Sequence, residues 1–319
     1  MKKTMRDYFR LLRPRQWIKN FALFAALVFS GTMFDILNFK GAIYGFFIFC
    51  AVSSAIYIIN DLFDISKDKL HPFKRFRPLA HGDVSVNGAI VLAIILALLA
   101  LIGSYIVSLP FLAITIIYLI LQLSYSIILK HVAVIDILAL AGGYILRVYA
   151  GEVAIGYQYH ISVWLLLTTI SLSLFLAVGK RRRELTLVSQ HSGTNIAAIR
   201  RSLSHYSERL LDVYASIFAT STFISYSLFT FLENSQDLQT VTNDVFLPEF
   251  LPSYLQRKWL MITILPVVYG LMRYLQDIYE KHEGESPERV LFTDKSLLAT
   301  VIIWAFSVFM VIYIIGGTV

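Results

Sequence analysis

The chain has 319 residues, 57% of them hydrophobic and 15% charged, with a formal net charge of +7. A soluble domain carries about 25% charged residues, and here the apolar residues fall in long unbroken runs, so an ordinary soluble globular protein is excluded. The excess lysine and arginine sits at the ends of those runs, where it reads as a membrane-topology signal and not as a nucleic-acid surface.

Met1-Lys2-Lys3 ahead of an apolar run imitates a secretory signal. Basic residues continue through Arg10, Arg13, Arg15 and Lys19, and no small-residue cleavage site follows. The stretch therefore reads as a retained first helix, preceded by a short amphipathic segment at the interface with Tyr8, Phe9, Leu11 and Leu12. About 20 apolar residues suffice to cross the hydrocarbon core. Nine such runs occur, at roughly 17–34, 40–60, 88–107, 109–129, 134–151, 160–179, 211–231, 258–279 and 295–316. The third and fourth are separated by Ser108-Leu109-Pro110, a tight hairpin at a proline. The expectation is an all-α, polytopic membrane protein with about nine transmembrane helices in a single unit, 1–319. Its polar chemistry falls in connections near 61–87 and 180–210. The lone Cys50 excludes a disulfide framework and a cysteine metal site, and reads as a small packed residue.

Placing the N-terminus inside puts 22 of the 28 Lys and Arg residues on inner segments and three (Lys40, Arg257, Lys258) outside. That bias predicts a cytosolic N-terminus and a multi-pass protein of the inner (plasma) membrane. The 232–257 loop, with Glu233, Asp237, Asp244 and Glu249, fits the outer face. Lys19, Arg147 and Arg273 fall within predicted spans, where a cation is costly without an anionic partner. For Lys19 and Arg273, snorkelling to the interface competes with a binding role. Arg147 lies nearer the outer end of its span, so either that span is kinked near Gly142-Gly143 or Arg147 is a structural partner, with Glu152 nearby in sequence.

Asn60, Asp61, Asp64 and Asp68 begin at the inner end of the second run. Positions i, i+3 and i+7 share a helix face, so the three aspartates form a vertical stripe, and Asn60 pairs with Asp64 at i, i+4. Few oxygen ligands completed by substrate phosphates is how Mg²⁺ sites for phosphates are built, and these four are the candidate metal ligands. Asp61, Asp64 and Asp68 are the candidate catalytic residues. A solvated helix end answered by Lys67 and Lys69 is the plainer alternative. Next comes His71-Pro72-Phe73-Lys74-Arg75-Phe76-Arg77-Pro78, a structured loop whose Lys74, Arg75 and Arg77 suit a clamp on a polyphosphate or, equally, lipid headgroups.

The NDxxDxxxD pattern at 60–68, in a nine-helix topology, resembles the UbiA superfamily of intramembrane prenyltransferases. Several stretches are similar to its polyprenyl-phosphate phosphoribosyltransferase branch: Arg13-Pro14-Arg15-Gln16-Trp17-Ile18-Lys19-Asn20, the 60–78 segment, and Leu129-Lys130-His131 with Asp136. Gly179-Lys180-Arg181 with Glu184, Gly270-Leu271-Met272-Arg273-Tyr274 and Gly284-Glu285-Ser286-Pro287-Glu288 extend the match almost end to end. The resemblance implies a helical bundle around a central cavity open to the cytosolic face. It also implies Mg²⁺-dependent transfer of a 5-phosphoribosyl group from phosphoribosyl diphosphate to a decaprenyl-type polyprenyl phosphate. Where prenyl-diphosphate members carry a second acidic motif, this chain reads Lys180-Arg181-Arg182-Arg183-Glu184. More cations and fewer carboxylates suit a donor with an added 5-phosphate and an acceptor that is itself a phosphate.

On that reading the substrate-binding residues are Lys19, Asn20, Tyr57, Lys74, Arg75, Arg77, Tyr125, Lys130, Arg147, Lys180, Arg181 and Glu184. The lipid phosphate is already an anion, so no strong general base is needed. Expected partners are the two substrates and membrane lipids, without nucleic acid; a homo-oligomer is left open. Three rivals stand beside this reading. A UbiA-type prenyltransferase acting on an aromatic or other acceptor needs a second acidic pair near 180–184. A transporter needs acids near mid-bilayer and inverted repeats. A lipid-binding scaffold without turnover is compatible with the same residues.

Overall fold

The protein is described by a computed structural model covering residues 5–70, 74–156, 161–190, 201–232, 259–280 and 287–315. Among the described residues every regular element is helical. The described residues open with helix α1 (Met5–Leu11), then a 3-10 segment (Pro14–Leu23) and the short α2 (Phe24–Phe29). The long α3 (Ile36–Leu70), a one-turn α4 (Pro78–His81), α5 (Val86–Val107), α6 (Leu109–Ile127) and α7 (Ile135–Ala154) follow. The second half holds α8 (Val163–Gln190), α9 (Glu208–Leu232), α10 (Ile264–Glu280), α11 (Pro287–Thr293) and α12 (Lys295–Phe309). The hairpin expected at Ser108 is present: its side chain caps α6 by accepting from the Phe111 N–H at 3.2 Å. Pro287 opens α11, the position a proline suits in a helix. The acidic 233–257 stretch, His71 to Phe73, Glu285 and Ser286 lie outside the described residues, as do the side chains of Lys67, Lys74 and Glu288.

Eight described helices are long and apolar enough to cross a membrane, not nine. The expected first span, 17–34, is the exception. It runs as a 3-10 stretch and then an α-helix of six residues. At about 2.0 Å per 3-10 residue and 1.5 Å per α residue, Pro14–Phe29 still covers about 29 Å, close to the hydrocarbon thickness of about 30 Å. The tight start has two local features and one distant contact. Pro14 opens it, Arg13 before it has φ 53, and the buried Asn20 side chain is committed to Arg147 on α7.

This segment also lies hard against α7. A Cβ on Gly151 would stand 1.9 Å from the Leu23 carbonyl oxygen. Because that obstacle is backbone and cannot rotate away, Gly151→Ala should destabilise the protein by about 3 kcal/mol. The expected readout is a lower detergent-phase melting temperature and yield; unchanged melting would mean the two backbones are not in this contact.

Helix lengths place the polar chemistry. The 35 residues of α3 extend about 52 Å, more than the 40–45 Å of a bilayer with its headgroups. Its last turns carry Asn60 to Asp68, so the helix continues past the end expected near residue 60 and takes the acidic stripe with it. Likewise α8 runs to Gln190, so Lys180–Glu184 lies inside a helix and not in a connection. Two packed halves flank this region. One core joins the 3-10 segment with α3, α5, α6 and α7 around Phe49, Phe111 and Tyr118. The other joins α7, α8, α9 and α10 around Phe175, Leu211 and Tyr274. Ser171–Ser221 at 2.8 Å and Thr168–Ser225 at 3.1 Å link α8 to α9, the small polar contacts that hold membrane helices together.

Candidate active site

At the end of α3 the three aspartates face one way, and each meets a cation. Asp61 is buried and accepts from Arg13, and from Arg77 Nη1 at 3.1 Å. The same Arg77 nitrogen donates to Asp68 Oδ2 at 2.6 Å. Asp64 is more open, and both its oxygens lie 3.4 Å from Lys130 Nζ. The Arg13 guanidinium also stands over the Tyr57 ring, 5.3 Å from its centre. Arg13 comes from the entry to the 3-10 segment, Arg77 from the turn before α4, and Lys130 from the α6–α7 connection. Asn60 is half-buried beside Asp61.

Lys130 joins the stripe to a second network on α7 and α8. Arg181 is fully buried, and its guanidinium donates to Asp136 Oδ2 at 2.6 Å, Glu184 Oε2 at 2.6 Å and the Tyr125 hydroxyl at 2.8 Å. Ser202 shares its hydroxyl between Asp136 Oδ2 at 3.1 Å and the Lys130 carbonyl at 2.9 Å. The Tyr206 hydroxyl donates to Asp136 Oδ1 at 2.7 Å and accepts from the Val134 N–H at 2.6 Å. Burial raises the Tyr206 hydroxyl above the ordinary tyrosine value, and the bond to Asp136 acts in the same direction, so it stays a donor. Lys180, half-buried, is in electrostatic reach of Tyr125, Glu184, Lys19 and Arg181.

A third layer lies deeper. Arg147 is buried and donates to Asn20 Oδ1 at 2.8 Å, the Gly143 carbonyl at 2.7 Å and the Tyr118 hydroxyl at 2.6 Å. It stands eleven positions along α7 from Asp136, about 16 Å at a helical rise. Cys50, buried as expected, accepts from Asn20 at 3.3 Å. The sequence left Arg147 either in a shifted span or as a structural partner. Its partners are those of a tie between the first segment, α6 and α7, and the Gly143 carbonyl at i−4 belongs to an unbroken helix. Lys19 connects the layers, being in electrostatic reach of both Tyr118 and Lys180.

The fold thus gathers Tyr57, Asp61, Asp64, Asp68, Arg77 and Lys130 at the stripe, and Tyr125, Lys180, Arg181 and Glu184 beside it. Asn20 and Arg147 fall in the deeper layer. Arg75 is exposed and stacks on Phe76, 4.8 Å from the ring centre, apart from these networks. Arg273 is tied to Asp294 at 2.7 Å and to Gln276 at 2.7 Å on the α10–α12 side. Sequence reasoning missed Arg13, Ser202 and Tyr206 as site residues; Arg13 lies in a stretch that carries the family resemblance, and nothing local distinguishes Ser202 and Tyr206. Asp136 carried a signal, a lone acid at the start of an apolar run.

Among the described residues no three acidic, histidine or cysteine side chains converge as a ready-made metal cage. The fit to Mg²⁺ is of another kind. This ion keeps several waters and takes one or two carboxylates plus substrate phosphates, and Asn60, Asp61 and Asp64 offer hard oxygen donors at one helix end. Of the two aspartates, Asp64 is the more open to solvent. Asp136 and Glu184 are occupied by Arg181 and offer no second acidic site.

Comparison with known proteins shows the family and the fold. The model of the UbiA prenyltransferase family matches residues 20–184. A decaprenyl-phosphate phosphoribosyltransferase of Mycolicibacterium smegmatis is 33% identical over 98% of this chain and 94% of its own length. One of the same name from Corynebacterium glutamicum is 33% identical over 96% and 86%. Among solved structures, a UbiA homolog from Archaeoglobus fulgidus bound to GPP and Mg²⁺ superposes with a TM-score of 0.67 over 96% of this chain and 99% of that one, at 19% identity. At that identity the likeness concerns the fold.

Proposed function

The chain belongs to the UbiA prenyltransferase family, and from that premise we propose that it transfers a 5-phosphoribosyl group from phosphoribosyl diphosphate to a decaprenyl-type polyprenyl phosphate, releasing diphosphate. The observation that carries this reading is the near-full-length identity to two relatives of that activity by name. The site geometry supports it. A prenyl-diphosphate enzyme of this fold would need a second free acidic group, and here Asp136 and Glu184 are spent on Arg181.

Asn60, Asp61 and Asp64, with Asp68 in support, would hold Mg²⁺. When bound, Mg²⁺ supplies charge neutralisation of the diphosphate as leaving group. Arg13, Arg77 and Lys130 answer the three aspartates, and each would have donors available for phosphate oxygens of the donor substrate. Lys180 on α8 and Lys19 in the 3-10 segment lie within electrostatic reach of each other and suit the lipid phosphate or the 5-phosphate. In the reaction the bond from the anomeric carbon to the diphosphate oxygen breaks, and a phosphate oxygen of the lipid bonds that carbon from the opposite face. No proton has to be removed from this nucleophile, so positioning and preorganised charge are the residues' whole task. The protein is a multi-pass membrane protein, and the lysine and arginine bias supports an inner-membrane placement with the N-terminus and site facing the cytosol.

Purified protein incubated with radiolabelled phosphoribosyl diphosphate, Mg²⁺ and polyprenyl phosphate should pass label into the lipid phase, and EDTA should stop it. No label in lipid with any polyprenyl phosphate would overturn the reading. Label passing instead from a prenyl diphosphate to an aromatic acceptor would establish the alternative.

A further inference from the structure

The short stretch Arg201–Tyr206 grips the connection that carries Lys130 at two points. Ser202 holds the Lys130 carbonyl itself, and Tyr206 holds the Val134 N–H four residues on. Both grips are shared with Asp136, the acid that Arg181 anchors. Val134 has φ 67 and ψ −49, a tight-turn conformation that is rare for any L-residue and strained for a β-branched one. Such a conformation persists only where surrounding contacts over-determine it. The Val134 carbonyl is held locally, by the Ile137 and Leu138 N–H groups at 3.1 and 3.0 Å, whereas its N–H is held by Tyr206, 72 positions away. The Tyr206 ring is packed in the core with Leu203, Ile137, Phe175 and Val178, so its hydroxyl is fixed in place. With its backbone held at its own carbonyl and again at Val134, Lys130 has Nζ 3.4 Å from both oxygens of Asp64.

We propose that Tyr206 is a positioning residue, which pins the strained turn at Val134 and so sets Lys130 against Asp64. The role follows from the functional reading, in which Lys130 and Asp64 handle the donor diphosphate. Tyr206→Phe keeps the ring and its packing and removes both hydrogen bonds. Glycine accepts positive φ without strain, so Val134→Gly should hold the turn without help from Tyr206.

The test places nitroxide labels at the exposed positions 63 and 132, beside Asp64 and Lys130, in the full chain with Cys50→Ser, and reads their separation from dipolar broadening. One narrow separation is expected in this parent, a broad spread with Tyr206→Phe, and a narrow one again with Tyr206→Phe and Val134→Gly together. In the unlabelled chain, Tyr206→Phe should weaken binding of Mg²⁺ with inorganic diphosphate about tenfold, and Tyr206→Phe with Val134→Gly should recover it. Should Tyr206→Phe fail to fold, Ser202→Ala removes the other grip and should give the same spread. A Tyr206→Phe spectrum identical to the parent, or a spread that Val134→Gly leaves untouched, overturns the proposal. Absence of phosphoribosyl transfer in the unmutated protein would sink the functional reading alone, since the label separation needs no substrate.

Discussion

Asp64→Ala should cut phosphoribosyl transfer by about a thousandfold and leave the protein folded. Two features separate Asp64 from its neighbours. Its side chain is 19% exposed against 2% for Asp61, and its charged contact, Lys130, lies at 3.4 Å, longer than a strong charge-assisted hydrogen bond. Losing that contact costs well under about 1 kcal/mol of stability. Losing the carboxylate removes the most accessible hard donor available to the ion that neutralises the leaving group. Asp61→Ala should look different, because it leaves Arg13 and Arg77 without their shared buried carboxylate and lowers stability together with activity. Transfer of label to lipid and melting in detergent separate the two cases. Activity of Asp64→Ala within tenfold of the parent would remove Asp64 from the proposed metal site.

The second large effect is structural. Arg181 has no exposed side-chain surface, and neither has Asp136. Removing one member of a buried ion pair leaves an uncompensated charge and costs about 3–5 kcal/mol, a large part of a total stability of about 5–15 kcal/mol. Arg181→Ala should therefore collapse the yield of monodisperse protein. Arg181→Lys should recover little, because an ammonium cannot serve Asp136, Glu184 and Tyr125 in three directions at once. Arg181→Met combined with Asp136→Asn and Glu184→Gln, which removes charge from both sides, should fold better than Arg181→Ala alone. Size-exclusion profiles and melting temperatures decide it. An Arg181→Ala protein that melts like the parent but no longer binds substrate would make Arg181 a ligand of the substrate and not a strut.

Both predictions concern residues the sequence already singled out, and their different fates mark what a sequence can carry. The apolar runs, the hairpin at Ser108 and the shared face of Asp61, Asp64 and Asp68 are local patterns, set by helical periodicity and by the solvent each stretch must meet. They are readable because a helix satisfies its own backbone within a few residues. Charge bias is equally local, and it supports an orientation by simple counting along the chain. The resemblance to a phosphoribosyltransferase branch rested on short stretches of this kind, and the relatives at 33% identity agree with it.

What each charge faces was decided only by the tertiary structure. Arg13 meets Asp61 across 48 positions, Arg181 meets Asp136 across 45, and Arg147 meets Asn20 across 127. No periodicity encodes such pairings, because they arise where separately formed helices are brought together and each buried charge must find a partner. The first span shows the same limit. Its composition is that of a membrane helix, yet the hydrogen bond from Arg147 and the close passage of Leu23 over Gly151 accompany a 3-10 path for its first half. By itself, then, the sequence determined the membrane class, the helical spans and the acidic stripe, all products of short-range periodicity and solvent. The fold decided which cations guard the stripe and which residue, Tyr206, holds Lys130 to it, because those contacts exist only once distant helices pack.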